Sequence, residues 1–135
     1  MLSQSVLGCG NGYTTGRLAS LGYDVTGVDA SETGIELARS VFSETTFIRS
    51  LIDKDLAENT GSANFDLVIS SDVIEHLYRP SDLFEAAVSL LKPHGQILVG
   101  TPYHGYLKDL TLAVTGKMDN HFSVLDDGGH IKFSV

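Results

Sequence analysis

One cysteine, three prolines, no tryptophan and only nine lysines and arginines in 135 residues set limits before any motif is read. The lone Cys9 excludes an internal disulfide framework and suits a reducing, cytoplasmic setting. The C-x-x-C and Cys/His spacings of a structural zinc site are missing too. No stretch approaches the ~18 consecutive apolar residues that span a bilayer. The opening MLSQSVLG has no basic residue followed by an apolar run, so no secretory signal is visible. Aspartate and glutamate number 17, giving a net charge of −8 that opposes a phosphate backbone and makes nucleic acid an unfavoured partner. A cationic small ligand is better matched. The 42% hydrophobic content with 19% charged residues fits one soluble globular domain over 1–135.

What is present is alternation. Ser5–Leu7 reads as the end of a strand, and a helix follows over Thr14–Leu21. YDVTGVDA (23–30) is a second strand, with Ser31 as a hydroxyl N-cap and Ile35, Ala38, Val41 and Phe42 at helical spacing behind it. TTFIRS (45–50) is a third strand, with a weak helix over Asp53–Asn59 after it. FDLVISS (65–71) has the buried character of a central strand. The next helix is expected to be capped by Ser81 and to bury Leu83, Phe84, Ala87, Val88 and Leu91 as one stripe. LKPHGQ is expected to break that helix before a fifth strand, QILVGT. Strands alternating with crossover helices predict an α/β fold: a doubly wound, mostly parallel sheet covered by helices on both faces. Ligands of such sheets bind beyond the carboxyl ends of the strands.

GCGNG (8–12) lies at that end of the first strand, three glycines at alternate positions. Glycine costs conformational entropy, so backbone this bare serves a tight turn or the close approach of something to the main chain. Asp29 ends the next strand, 17 residues past Gly12, where a carboxylate can accept hydrogen bonds from a ribose diol or can help cap the helix begun at Ser31. The spacing is G-x-G-x-G. It fails the dinucleotide fingerprint, whose third glycine would fall at Tyr13 or Thr15, and it lacks the Lys-Ser/Thr of a P-loop.

VLGCGNGYTTGRLASLGYDVTGVDAS resembles the first two motifs of class I S-adenosylmethionine-dependent methyltransferases. FDLVISSDVIEHL and LLKPHGQILVGTPYHGYLK are similar to the later motifs, in the correct order, with the flavour of the ubiquinone-pathway O-methyltransferase group. The resemblance implies a Rossmann-like sheet of five strands, order 3-2-1-4-5, in three αβα layers, with S-adenosyl-L-methionine as cofactor, S-adenosyl-L-homocysteine as product, and a small-molecule methyl acceptor, O-methylation slightly preferred. It implies that Gly8, Cys9, Gly10 and Gly12 lie against the methionine part, with Tyr13 and Thr14 beside it. Asp29 would hold the ribose, Ala30 and Ser31 would border the adenine, Ser50 and Leu51 would meet its edge with Asp53 nearby, and Ser71 and Asp72 would line the methyl-donor end. Val6 stands where the family usually carries an acid two places before the first glycine, a departure that removes a contact to the cofactor's amino group.

Relatives carry a helical segment before the first strand and a helix with an antiparallel strand pair after the fifth. The expectation is a shortened form, with the outer edge of strand five open to homodimerisation. A non-catalytic cofactor-binding module and an NAD-dependent oxidoreductase are the competing functions.

Removing a proton from a hydroxyl acceptor suits histidine. His76 and His104 are the candidates at the ligand end, each with a local packing role as the alternative; His121 ranks lower, and His94 and His130 are read as structural. Residues 103–129 are expected to form a lid-like insertion, with Tyr103 and Tyr106 stacking on an acceptor or packing beneath it. No metal is expected: Glu75 and His76 are adjacent and point apart, and Asp72 with His76 supplies only two ligands.

Overall fold

The computed structural model describes residues 1–61 and 64–101. Five strands form one parallel sheet: β1 (Ser3–Leu7), β2 (Asp24–Asp29), β3 (Thr46–Arg49), β4 (Phe65–Ser71) and β5 (Leu91–Gly100), in the order β3-β2-β1-β4-β5. The connections are α1 (Tyr13–Ser20), α2 (Glu32–Val41), α3 (Leu56–Thr60) and α4 (Ser81–Leu90), with a short 3-10 turn at Ile74–His76. The expected strand order is the observed one. The lid-like stretch 103–129, with His104, His121, Tyr103 and Tyr106, lies outside the described residues, as does His130.

Period-two alternation divides the sheet between two cores. Leu7, Val28 and Val68 point to one face and meet Leu56 of α3 and Leu83, Ala86, Ala87 and Leu90 of α4. Val6, Val25 and Phe47 point to the other and meet Ile35 and Ala38 of α2. Leu7, Leu56, Leu83 and Leu90 are fully buried, and each such side chain contributes roughly 1.5–3 kcal/mol relative to exposure. β1 is central, paired to β2 from Ser3↔Asp24 to Leu7↔Val28 and to β4 from Gln4↔Leu67 to Leu7↔Ser70. Its carboxyl end therefore sits between two neighbours, where strand order reverses.

Three local expectations are corrected. Ser81 is the first residue of α4, behind Pro80, and makes no capping bond. The buried stripe of α4 is Leu83, Ala86, Ala87 and Leu90, leaving Phe84 45% and Val88 65% exposed. The helix carries apolar residues on two adjacent faces, so positions 83-86-87-90 and 84-87-88-91 both satisfy helical spacing, and the sheet selects the first. LKPHGQ does not separate helix from strand: β5 begins at Leu91, paired to Phe65, and the ladder shifts register before Gln96 pairs with Leu67. His94 takes a positive φ of 68° within that irregularity.

A carboxylate-lined cavity at the carboxyl ends of the strands

The glycine turn closes on itself. Gly8 and Cys9 N–H groups both donate to the Val28 carbonyl, at 2.8 and 3.0 Å, and Gly12 N–H donates to the Cys9 carbonyl at 2.9 Å. Gly8, Gly10 and Gly12 have φ of 73°, 52° and 80°, the left-handed region that penalises any side chain. Their surroundings differ. A Cβ on Gly8 would stand 2.2 Å from Val73 Cγ2, and one on Gly12 2.7 Å from Ala38 Cβ and 2.8 Å from the Phe47 ring, whereas one on Gly10 would meet nothing within 4 Å. The bare backbone at Gly8 and Gly12 therefore admits the protein's own side chains. Of the three, Gly10 alone leaves room for a Cβ, while Gly8 brings its main chain to a cavity wall.

Asp29 binds the turn directly. Its Oδ2 accepts from Gly10 N–H at 2.8 Å and its Oδ1 from Ser31 N–H at 2.8 Å. Ser31 Oγ in turn accepts from Gly34 N–H at 3.1 Å, the N-cap read from the sequence. Ser50 N–H donates to the Asp29 carbonyl at 3.0 Å, tying the end of β3 to the end of β2. Beyond β4, Asp72 has φ of 57° and donates its N–H to the Gly100 carbonyl at 3.0 Å. Aspartate tolerates this conformation better than most residues, yet it remains an uncommon one.

A cavity of about 660 Å³ opens at this edge, within the roughly 300–1,000 Å³ of small-molecule sites. Of the residues singled out from the sequence, Gly8, Asp29, Ala30, Leu51, Asp53, Asp72 and His76 line it. Ile52, Val73, Leu77 and Asp82 line it too and were not foreseen. Asp82 sits in the first turn of α4 and pairs with Arg79 at 3.6 Å. Its signal was an acid at a helix start that the α/β alternation turns toward the ligand end; Val73 carried none. Among the described residues no lysine or arginine lines the cavity. Among the described residues no group of three or more His, Cys, Asp or Glu could hold a metal ion.

Other candidates lie elsewhere. The Cys9 side chain is buried in the core with Val25, Ile35 and Phe47. Burial pushes its thiol up to about 12, with the nearby Asp29 charge adding to the effect, so it stays protonated at neutral pH. Tyr13 is 71% exposed and faces a separate hollow bounded by Asn11, Leu37, Val41 and Phe42. Thr14 and Ser71 are exposed, and Gly12 is buried.

Residues 6–99 match the methyltransferase domain family. The chain belongs to that family. This methyltransferase domain is 36% identical over 114 residues to a ubiquinone biosynthesis O-methyltransferase of Caulobacter vibrioides, covering 82% of this chain and 44% of that protein. It is 30% identical over 128 residues to the protein of the same name from Vibrio parahaemolyticus, covering 92% and 53%. The chain thus spans about half the length of the curated relatives it matches. A TehB-like SAM-dependent methyltransferase from Corynebacterium glutamicum shares the fold, with a TM-score of 0.67 at 22% identity over 84% of this chain and 64% of that one. Fold and family together make this a class I S-adenosyl-L-methionine-dependent methyltransferase domain.

The residues present fit that cofactor. A carboxylate offers about four lone-pair positions, and the main-chain donors use two of Asp29's, leaving two for a sugar diol. Gly8 brings the main chain of the glycine turn to the cavity wall, where a ligand can lie against it. The apolar side chains of Ala30, Leu51 and Ile52 suit a flat base, and the anionic wall suits a sulfonium.

Proposed function

We propose that this chain transfers a methyl group from S-adenosyl-L-methionine to a small-molecule acceptor, with a hydroxyl oxygen preferred. The observation that carries the reading is the coincidence, within the family-matched stretch, of the cavity with the Asp29 carboxylate and the glycine-turn main chain at Gly8, both of which line it. Asp29 receives the ribose diol, Ala30, Leu51 and Ile52 border the adenine with Asp53 at its polar edge, and the Gly8–Gly12 main chain runs along the methionine half. Cys9 and Gly12 contribute there through backbone alone. Tyr13, Thr14, Ser31, Ser50 and Ser71 shape the surrounding turns, and Asp72 offers its charge to the ligand's cationic end.

The bound cofactor supplies an electrophilic methyl group on a sulfonium. The protein's own tasks are then to align an acceptor, exclude water and take up a proton. His76, on the 3-10 turn that lines the cavity, is the group proposed to receive the acceptor's proton, with His104 as a second candidate. That the Caulobacter vibrioides and Vibrio parahaemolyticus relatives are named O-methyltransferases favours transfer over a binding-only module and supports oxygen as the acceptor atom.

The test is a transfer assay with isotopically labelled cofactor against phenols, catechols, carboxylic acids and amines. Label on a hydroxyl oxygen, with transfer reduced at least tenfold in His76→Gln, supports the reading. Transfer to amines alone would overturn the oxygen preference, and cofactor binding with no transfer to any acceptor would leave a binding module.

A further inference from the structure

Asp29 is already occupied before any sugar arrives: Oδ2 holds the Gly10 N–H and Oδ1 the Ser31 N–H, both at 2.8 Å. The Gly10 side of this pair is where the glycine turn has room for a Cβ, and Gly8, two residues before it, lines the cavity together with Asp29. No side chain stands where a Gly10 Cβ would go, in contrast to Gly8 against Val73 and Gly12 against Phe47; the Gly10 carbonyl lies beside Gly34 of α2, and its N–H side is held by Asp29. We infer that Asp29 is a positioning residue for the methionine half of the ligand: its carboxylate clasps the glycine turn to the start of α2 and fixes the Gly10 main chain, apart from any contact it makes to the ribose. The inference rests on the proposed function for which half of the ligand lies along the turn.

The chemistry separates the two roles. Asparagine has the shape of aspartate but presents one acceptor oxygen and one NH2 donor group. Facing a ribose diol it remains satisfied, because each hydroxyl rotates and both donates and accepts. Facing two backbone N–H groups it sets donor against donor on one side, and one of the two bonds is lost. A residue that serves only the sugar therefore tolerates Asp29→Asn well. A clasp does not.

The experiment compares wild type and Asp29→Asn by calorimetric titration with three ligands: S-adenosylhomocysteine, its 2′,3′-dideoxy analogue, and 5′-methylthioadenosine, which keeps the diol and lacks the amino-acid tail. The clasp predicts that the variant loses about tenfold to a hundredfold in affinity for the dideoxy analogue, the range for losing a charge-assisted hydrogen bond. It predicts a smaller loss for 5′-methylthioadenosine. A loss that vanishes with the dideoxy analogue and persists with 5′-methylthioadenosine would overturn the inference and leave Asp29 a sugar ligand. A merely structural weakening would lower all three affinities alike, which also overturns it.

Amide hydrogen exchange on ligand-free protein supplies the second arm. Gly10 N–H is expected to be protected in wild type, and to exchange at least tenfold faster in Asp29→Asn if that variant folds. An unprotected Gly10 amide in wild type sinks the clasp without recourse to any variant. Failure of wild type to bind S-adenosylhomocysteine would instead sink the methyltransferase reading, and the exchange result would still decide whether the clasp exists.

Discussion

The two ends of the sheet treat their aspartates differently. At the amino end, Asp66 Oδ2 accepts from Ser3 N–H at 2.9 Å and Ser3 Oγ at 3.1 Å, and pairs with Lys92 Nζ at 3.0 Å. One carboxylate there ties the beginnings of β1, β4 and β5 together with its charge matched by a cation. At the carboxyl end Asp29, Asp53, Asp72 and Asp82 line one cavity with no lysine or arginine among its walls as formed by the described residues; Asp82 pairs with Arg79, and Asp29 is held by neutral N–H groups. Stability alone gives no reason for that imbalance. The amino end closes the fold, and the carboxyl end is left with negative charge for a ligand to meet.

The strongest way to break this contrast is to put side chains into the glycine turn. Gly12→Ala places a methyl against Ala38 and Phe47 at a positive φ. Its expected cost is about 2–5 kcal/mol of unfolding free energy, from overpacking and the left-handed conformation together, measured by urea denaturation. Gly10→Ala meets no neighbour, so it is expected to cost only about 1–2 kcal/mol of stability, while lowering S-adenosylhomocysteine affinity at least tenfold. If the two variants lose stability and affinity in the same proportion, the division between packing glycines and a ligand-facing glycine is wrong.

Asp66→Asn sharpens the comparison from the other end. The Ser3 main-chain bond, followed by the Lys92 hydrogen bond, holds the Asp66 carboxyl below its ordinary value of 3.8. A folded-state value below the unfolded one means a stabilisation fully present above pH 3.8 and lost as the pH falls through the folded value. The variant is expected to melt below wild type at pH 7, with the gap closing as the pH drops beneath that range, and to bind S-adenosylhomocysteine as wild type does. A change in affinity would mean that the two ends are coupled. The smallest effect belongs to the outer face of α4: Phe84→Ser and Val88→Ser should each shift stability by no more than about 0.5 kcal/mol, as exposed positions do. A thermal melt showing a loss as large as that of Leu83→Ala would restore the stripe read from the sequence.

Much of the ligand end was legible because its signals are local. The G-x-G-x-G spacing, Asp29 at the end of the next strand and the Ser31 cap each follow from residue type at a fixed offset; alternation of strands and helices indicated a doubly wound sheet, and the family resemblance supplied the order 3-2-1-4-5. What stayed hidden depends on contacts between distant segments. The reason for Gly8 is Val73, and the reasons for Gly12 are Ala38 and Phe47, none of which a turn pattern reveals. The buried face of α4 was ambiguous for the same reason, since two apolar faces share one helix and only the sheet chooses between them. Pro93 and Gly95 looked like a break between elements, and a parallel ladder instead absorbed them in a shift of register. Cys9 sat in the right motif, yet its side chain packs in the core with Val25, Ile35 and Phe47, contacts that the motif spacing does not reveal.

The central claim is that the tip of β1 and the carboxylate at the end of β2 together hold a sulfonium nucleoside. Calorimetric titration of the wild-type chain with S-adenosylhomocysteine, run in parallel with NAD, tests it most directly. The account predicts one-to-one binding of the sulfur nucleoside and no heat with the dinucleotide; tight NAD binding with no response to S-adenosylhomocysteine would contradict it.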